Sequence, residues 1–208
     1  MAIALGTTPR LLQVSASREG NAMTSGFGEI RQLGHIVTDM DRALELWTQR
    51  LEVGPFFLMP EVVFENYSYR GREMASPHIA IAIAFSGGVQ IELIEQLDDT
   101  PSTYIEFLSA GRSGLHHYST WFSDRKEYER TRSWALASNF GLVSECRPED
   151  TSRLAYFETG NPSAPLFELS EALVPGVAEM MELVERTCRE WDGKDPVRSP
   201  PGRETVPA

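Results

Sequence analysis

The sequence predicts an α+β fold built from two successive βαβββ modules followed by a C-terminal helix. Three observations predict it. A strand–helix–strand–strand–strand pattern runs once over about residues 28–97 and again over about 113–172. A Leu-x-His opens each pass, as Leu33-Gly34-His35 and Leu115-His116-His117. An apolar-Glu-Leu-x-Glu closes each, as Ile91-Glu92-Leu93-Ile94-Glu95 and Phe167-Glu168-Leu169-Ser170-Glu171. The two His–Glu separations are nearly equal, and an internal repeat of this kind decides the architecture before any single element does.

In the first pass, Ile30 to Val37 reads as a strand and Asp39 as the N-cap of a helix. Met40, Ala43, Leu44, Trp47 and Leu51 fall on one helical face, and Gly54-Pro55 ends the unit. A strand near Phe56 to Met59 precedes an irregular stretch around Glu61 to Met74. His78 to Phe85 and Val89 to Gln96 then form a hairpin through Ser86-Gly87-Gly88. The second pass begins with a strand at Gly114 to Phe122 and a helix capped near Ser123 or Asp124. Tyr128, Trp134, Ala135 and Leu136 are that helix's weaker apolar set. Leu142 to Cys146, Leu154 to Phe157 and Pro165 to Ser170 are its three strands, with a turn at Gly160-Asn161-Pro162. A helix over about Val174 to Trp191, within a 173–191 segment, has no counterpart in the first half. Its apolar face carries Val177, Met180, Met181, Val184, Cys188 and Trp191, and suits core packing or a homodimer contact. Residues 1–27 lack periodicity and read as a flexible arm; residues 192–208, rich in proline and charge, read as a disordered tail.

Composition narrows the functional classes. Net charge is −11 over 208 residues, which argues against nucleic acid or an anionic membrane as partner. No apolar run approaches the roughly 20 residues that cross a bilayer. The two cysteines, Cys146 and Cys188, form no CxxC and fit free thiols in a reducing cytoplasm. A cytoplasmic location is therefore expected, with a small molecule as the partner.

Strand alternation selects the candidate site. With the halves aligned on Leu33 and Leu115, His35 pairs with His117 and His116 is the odd one out. Glu92 pairs with Glu168, while Glu95 and Glu171 face the other way. Two imidazoles and two carboxylates suit Zn, Ni, Co, Mn or Fe, and a buried carboxylate is costly without a compensating cation. His35, Glu92, His117 and Glu168 are therefore the expected metal ligands. Tyr69 and Arg70, in the irregular stretch, are candidates to contact substrate, and Trp121 shares the face of His117.

The repeat, Gly34-His35-Ile36-Val37-Thr38-Asp39-Met40-Asp41, Ile91-Glu92-Leu93 and Gly114-Leu115-His116-His117 resemble the vicinal oxygen chelate superfamily. That group includes glyoxalase I, methylmalonyl-CoA epimerase, extradiol dioxygenases and bleomycin resistance proteins. The resemblance covers roughly residues 28–172 and is closest to the epimerase-like branch. It implies a cupped, mostly antiparallel sheet, frequent dimers, and a divalent metal held by the first and fourth strands of each module. The implied activity is a metal-dependent isomerase, epimerase or lyase acting on a small carbonyl compound through a metal-stabilised enolate. Glu92 or Glu168 would then be the catalytic base. An Fe(II) dioxygenase of aromatic compounds and a non-catalytic small-molecule binding protein are the alternatives.

Overall fold

The computed structural model describes residues 26–147 and 152–200. The first module runs β1 (Gln32–Ile36), α1 (Met40–Glu45), β2 (Phe56–Val62), the short hairpin β3 (Tyr67–Tyr69) and β4 (Arg72–Glu73), β5 (Ile79–Ser86) and β6 (Val89–Gln96). A linking helix α2 (Thr103–Ser109) leads to β7 (Gly114–Trp121), α3 (Arg125–Ala137), β8 (Gly141–Cys146), β9 (Leu154–Glu158) and β10 (Leu166–Ser170). Then follow α4 (Val177–Arg189) and β11 (Val197–Arg198). Among the described residues all the strands form one sheet, ordered β11-β2-β5-β6-β1-β7-β10-β9-β8-β3-β4.

The order exposes the repeat. In each module the first strand lies parallel to the last, β1 beside β6 and β7 beside β10. The two first strands then meet antiparallel at the centre. Every other long pairing is antiparallel, as the sequence predicts.

Side-chain size sets the layers. Strand β5 reads Ile79-Ala80-Ile81-Ala82-Ile83-Ala84-Phe85, so one face is bulky and the other nearly flat. The alanines admit α1, whose Met40 and Leu44 pack over Phe56, Ile91 and Leu93 on the outer face. The isoleucines point inward, into a core shared with Tyr104 and Phe107 of α2, Trp121, Tyr156 and Val184 of α4. In the second module, Tyr128 and Ala135 of α3 cover Ala155, Phe157 and Leu169 from outside. The sheet thus carries α1 and α3 on its outer face, and α2 and α4 on its inner one. The starts of α1, α2 and α3 are capped by side chains: Asp39 accepts from the Arg42 amide, Ser102 from Tyr104 and Ile105, and Asp124 from Lys126.

Several expectations change. The irregular stretch contains the β3–β4 hairpin, and β3 extends the edge of the second module by pairing with β8. The linker between the modules is helical. Within the segment expected to be a disordered tail, residues 192–200 supply β11, which runs parallel to β2, with the Pro196 carbonyl accepting from the Phe56 amide at 2.8 Å; residues 201–208 lie outside the described residues. A strand of two residues directly after Pro196 suits an edge. Most of the N-terminal arm lies outside the described residues. Its last aromatic, Phe27, is buried and stacks on Phe167 at 4.6 Å. No helix among the described residues is long and apolar enough to cross a membrane.

Candidate metal centre

The site lies on the inner face at the central seam. Glu92 (β6), His117 (β7) and Glu168 (β10) bring one ligand atom each within 4.8 Å of one another. His117 Nε2 stands 3.4 Å from a Glu92 carboxylate oxygen and 3.2 Å from one of Glu168, with the imidazole completely buried. Neither approach makes a hydrogen bond of acceptable geometry, and this nitrogen has no hydrogen-bond partner. On its other side the ring is held: Nδ1 lies 3.0 Å from His116 Nδ1, and His116 Nε2 lies 3.1 Å from Thr103 Oγ1. Ser119 Oγ donates to Glu168 at 3.0 Å, and Tyr156 also hydrogen-bonds that carboxylate.

Burial dominates the electrostatics. It pushes the Glu92 carboxyl up to about 7, opposed by a hydrogen bond from Gln32. It also raises Glu168, opposed by the nearby His117. The imidazole of His117 is lowered by burial, against the pull of Glu168. All three shifts have one leading cause, the loss of water around groups whose charged forms burial disfavours.

His35, expected as a fourth ligand, is not part of the cluster. On β1 the residues Gln32, Gly34 and Ile36 face inward, whereas Leu33 and His35 face α1. The His35 ring lies edge-on to Trp47 at 5.4 Å. The alignment of Leu33 on Leu115 is what misleads. In the sheet, Gly34 sits beside Glu92 and opposite His117, while Ser119 sits beside Glu168 and opposite Gln32. The two-fold relation between the modules therefore superimposes Gly34 on Ser119, Glu92 on Glu168, and Gln32 on His117. A register shift at Gly34/His35 leaves His116 as the additional residue of β7.

Gln32 is the functional candidate missed in the sequence. It is buried, donates to Gln90 Oε1 at 2.6 Å and hydrogen-bonds Glu92, while its own Oε1 has no partner. The available signal was two glutamines, Gln32 and Gln90, inside otherwise apolar strands. Gly34 leaves the room that the His117 ring fills, since any Cβ there would collide with the imidazole.

The expected substrate contacts divide. Trp121 lines the cavity of about 170 Å³ that also contains Gln32, Glu92 and Glu168. Tyr69 and Arg70 are elsewhere. The Tyr69 hydroxyl bonds Glu106, and the Arg70 guanidinium is forked between Glu106 at 2.6 Å and Glu158 at 3.1 Å. Arg70, Glu106 and Glu158 border a different depression of about 320 Å³, which Thr103 and His116 also line.

The chain is similar in structure to methylmalonyl-CoA epimerase from Mycobacterium tuberculosis, with 19% identity, TM-score 0.50, and 76% of this chain and 94% of that one covered. It is also similar to a Streptomyces coelicolor methylmalonyl-CoA epimerase variant in complex with 2-nitronate-propionyl-CoA, at 16% identity, TM-score 0.45, and 68% and 94% coverage. A hypothetical protein from Bacillus halodurans matches at 17% identity, TM-score 0.49, and 68% and 92% coverage. No curated protein matches the chain. The family description "Glyoxalase/Bleomycin resistance protein/Dioxygenase superfamily" matches residues 31–157, more than half of the sequence and both strands of the central seam. With its paired βαβββ modules joined first strand to first strand, the chain belongs to the glyoxalase/bleomycin resistance protein/dioxygenase superfamily.

Proposed function

We propose that this protein is a metal-dependent enzyme that moves a proton at a carbon next to a carbonyl, in an isomerase, epimerase or lyase reaction on a small molecule. The observation that carries this reading is the unpartnered His117 Nε2 facing the buried Glu168 carboxylate and the mostly buried one of Glu92. A buried imidazole nitrogen and buried carboxylates without a cationic side chain would each be costly, and a divalent cation compensates all three. Glu92, His117 and Glu168 would hold the ion, with Gln32 Oε1 as a fourth donor. One imidazole among oxygen donors suits Zn, Ni, Co or Mn. When bound, such an ion acts as a Lewis acid that polarises a carbonyl oxygen and acidifies the neighbouring C–H.

The chain's own residues set the remainder. For Nε2 to present a lone pair, the His117 proton must sit on Nδ1 and be donated to His116 Nδ1. His116 then carries its proton on Nε2 and donates to Thr103 Oγ1, so one row of hydrogen bonds fixes both tautomers. Ser119 and Tyr156 orient the Glu168 carboxylate, while Gln32 orients that of Glu92. Either carboxylate is placed to accept a proton from a molecule in the cavity that both border. The two-imidazole set required by the Fe(II) dioxygenase alternative is not assembled, because His35 faces α1.

Mass-spectrometric metal analysis of protein purified without chelator or nickel resin tests the proposal, alongside His117→Ala. About one divalent ion per chain, lost in the variant, is the expected result. A metal-free protein that also fails to take up Zn, Co, Ni or Mn would overturn it and leave a binding protein.

A further inference from the structure

We infer that the substrate is a compact molecule of about ten non-hydrogen atoms or fewer, apolar and uncharged apart from the oxygens that meet the carboxylate–imidazole cluster, and not a coenzyme A or other phosphate-bearing conjugate. The inference rests on the proposed function only for those oxygens. Its size and charge limits rest on α4 and the cavity walls.

Helix α4 lies across the inner face of the first module, close to β5. Val184 is fully buried beneath it. The Met181 sulfur accepts from Gln90 Nε2 at 2.9 Å. The Cys188 thiol accepts from the Phe85 amide at 3.2 Å and donates to the Pro55 carbonyl at 3.4 Å. These attachments run from one end of the helix to the other. They leave Val177 and Met181 as part of the wall around Glu92 and Glu168. The cavity is partly open to solvent and has a volume of about 170 Å³; a protein cavity of about 150 Å³ holds benzene. A drug-sized ligand needs about 300 Å³ or more.

The wall chemistry sets the second limit. Met59, Ile83, Ile94, Trp121, Leu154 and Met181 supply apolar surface. Among the described residues, no lysine or arginine lines the cavity. Arg31 lies over the Trp121 ring at 5.5 Å but is not among the lining residues, and Arg70 is held by two carboxylates. A phosphate tail would thus enter an apolar space without a counter-charge, on a chain of net charge −11. The oxygens of the ligand instead meet the polar part of the wall, where Glu92 and Glu168 stand with Gln32, Gln90, Tyr104 and Tyr156.

Calorimetric titration of the full-length protein with three probes tests this, with metal content measured on each sample. The probes are 2-hydroxyacetophenone, which carries vicinal oxygens, acetophenone, which carries one, and propionyl-CoA. Both ketones are expected to bind and propionyl-CoA is not. Met181→Trp, which fills the cavity, is expected to weaken both ketones about tenfold or more without changing metal content. Propionyl-CoA binding as tightly as the ketones, or ketone binding that ignores Met181→Trp, overturns the inference. Should Met181→Trp not fold, Val177→Phe on the same wall replaces it, with the same expected and overturning results. A preference for the hydroxyketone over acetophenone reports the metal separately. Loss of that preference with ketone binding intact would therefore count against the proposed function and not against the size and charge limits.

Discussion

At the residue scale, the site is defined by which side chains lack partners. Gln32 Oε1 and His117 Nε2 are buried polar atoms without hydrogen bonds, and both belong to positions exchanged by the module two-fold. Gln32→Leu is expected to lower divalent-ion affinity about tenfold or more, whereas His35→Ala leaves it unchanged; competition against a chromophoric chelator measures both. Thr103→Val and His116→Phe break the row that sets the His117 tautomer. Each is expected to weaken metal binding about 10- to 100-fold with the far-ultraviolet circular dichroism intact. Gly34→Ala places a methyl group in the imidazole's space and is expected to cost about 1–3 kcal/mol in chemical denaturation, or more if the ring cannot shift. The two glutamates and His117 were legible in the sequence because they interrupt apolar strands at repeated spacing. Gln32 was not, because an uncharged amide stands out less, and the Leu-x-His pattern drew the alignment three residues away.

At the element scale, strands with strong alternation were readable and weakly patterned segments were not. The Ile–Ala alternation of β5 and the Gly87-Gly88 turn specify the β5–β6 hairpin locally. By contrast β3, β4 and β11 are two or three residues long and are created by the edges they join, so no local pattern announces them. Which face of β1 carries α1 also depends on the neighbouring strands, since His35 and Gln32 are both compatible with a half-buried strand. Helix α4 was visible from its apolar face, but not its resting place over the inner side of the sheet. The small edge strand has a consequence of its own. Ending the chain after residue 195 removes the Phe56–Pro196 hydrogen bond and uncovers β2, so a lower melting temperature by a few degrees is expected in calorimetry.

At the scale of the whole molecule, the first module contributes Gln32 and Glu92, and the second contributes His117 and Glu168. All four come from one chain, so the centre needs no second subunit. Metal stoichiometry is expected to stay at one ion per chain on dilution through any dimer dissociation, as checked by sedimentation velocity with cobalt absorbance. The placement of β1 also bears on how the protein reaches this state. It is the first strand among the described residues, yet it occupies the middle of the sheet, flanked by β6 and by β7. Its final pairings wait for segments far along the chain, and loop-closure entropy makes such distant contacts slow to form. Refolding is therefore expected to proceed with the outer hairpins ahead of the seam, so that competence to bind cobalt emerges after most of the strand signal has been recovered.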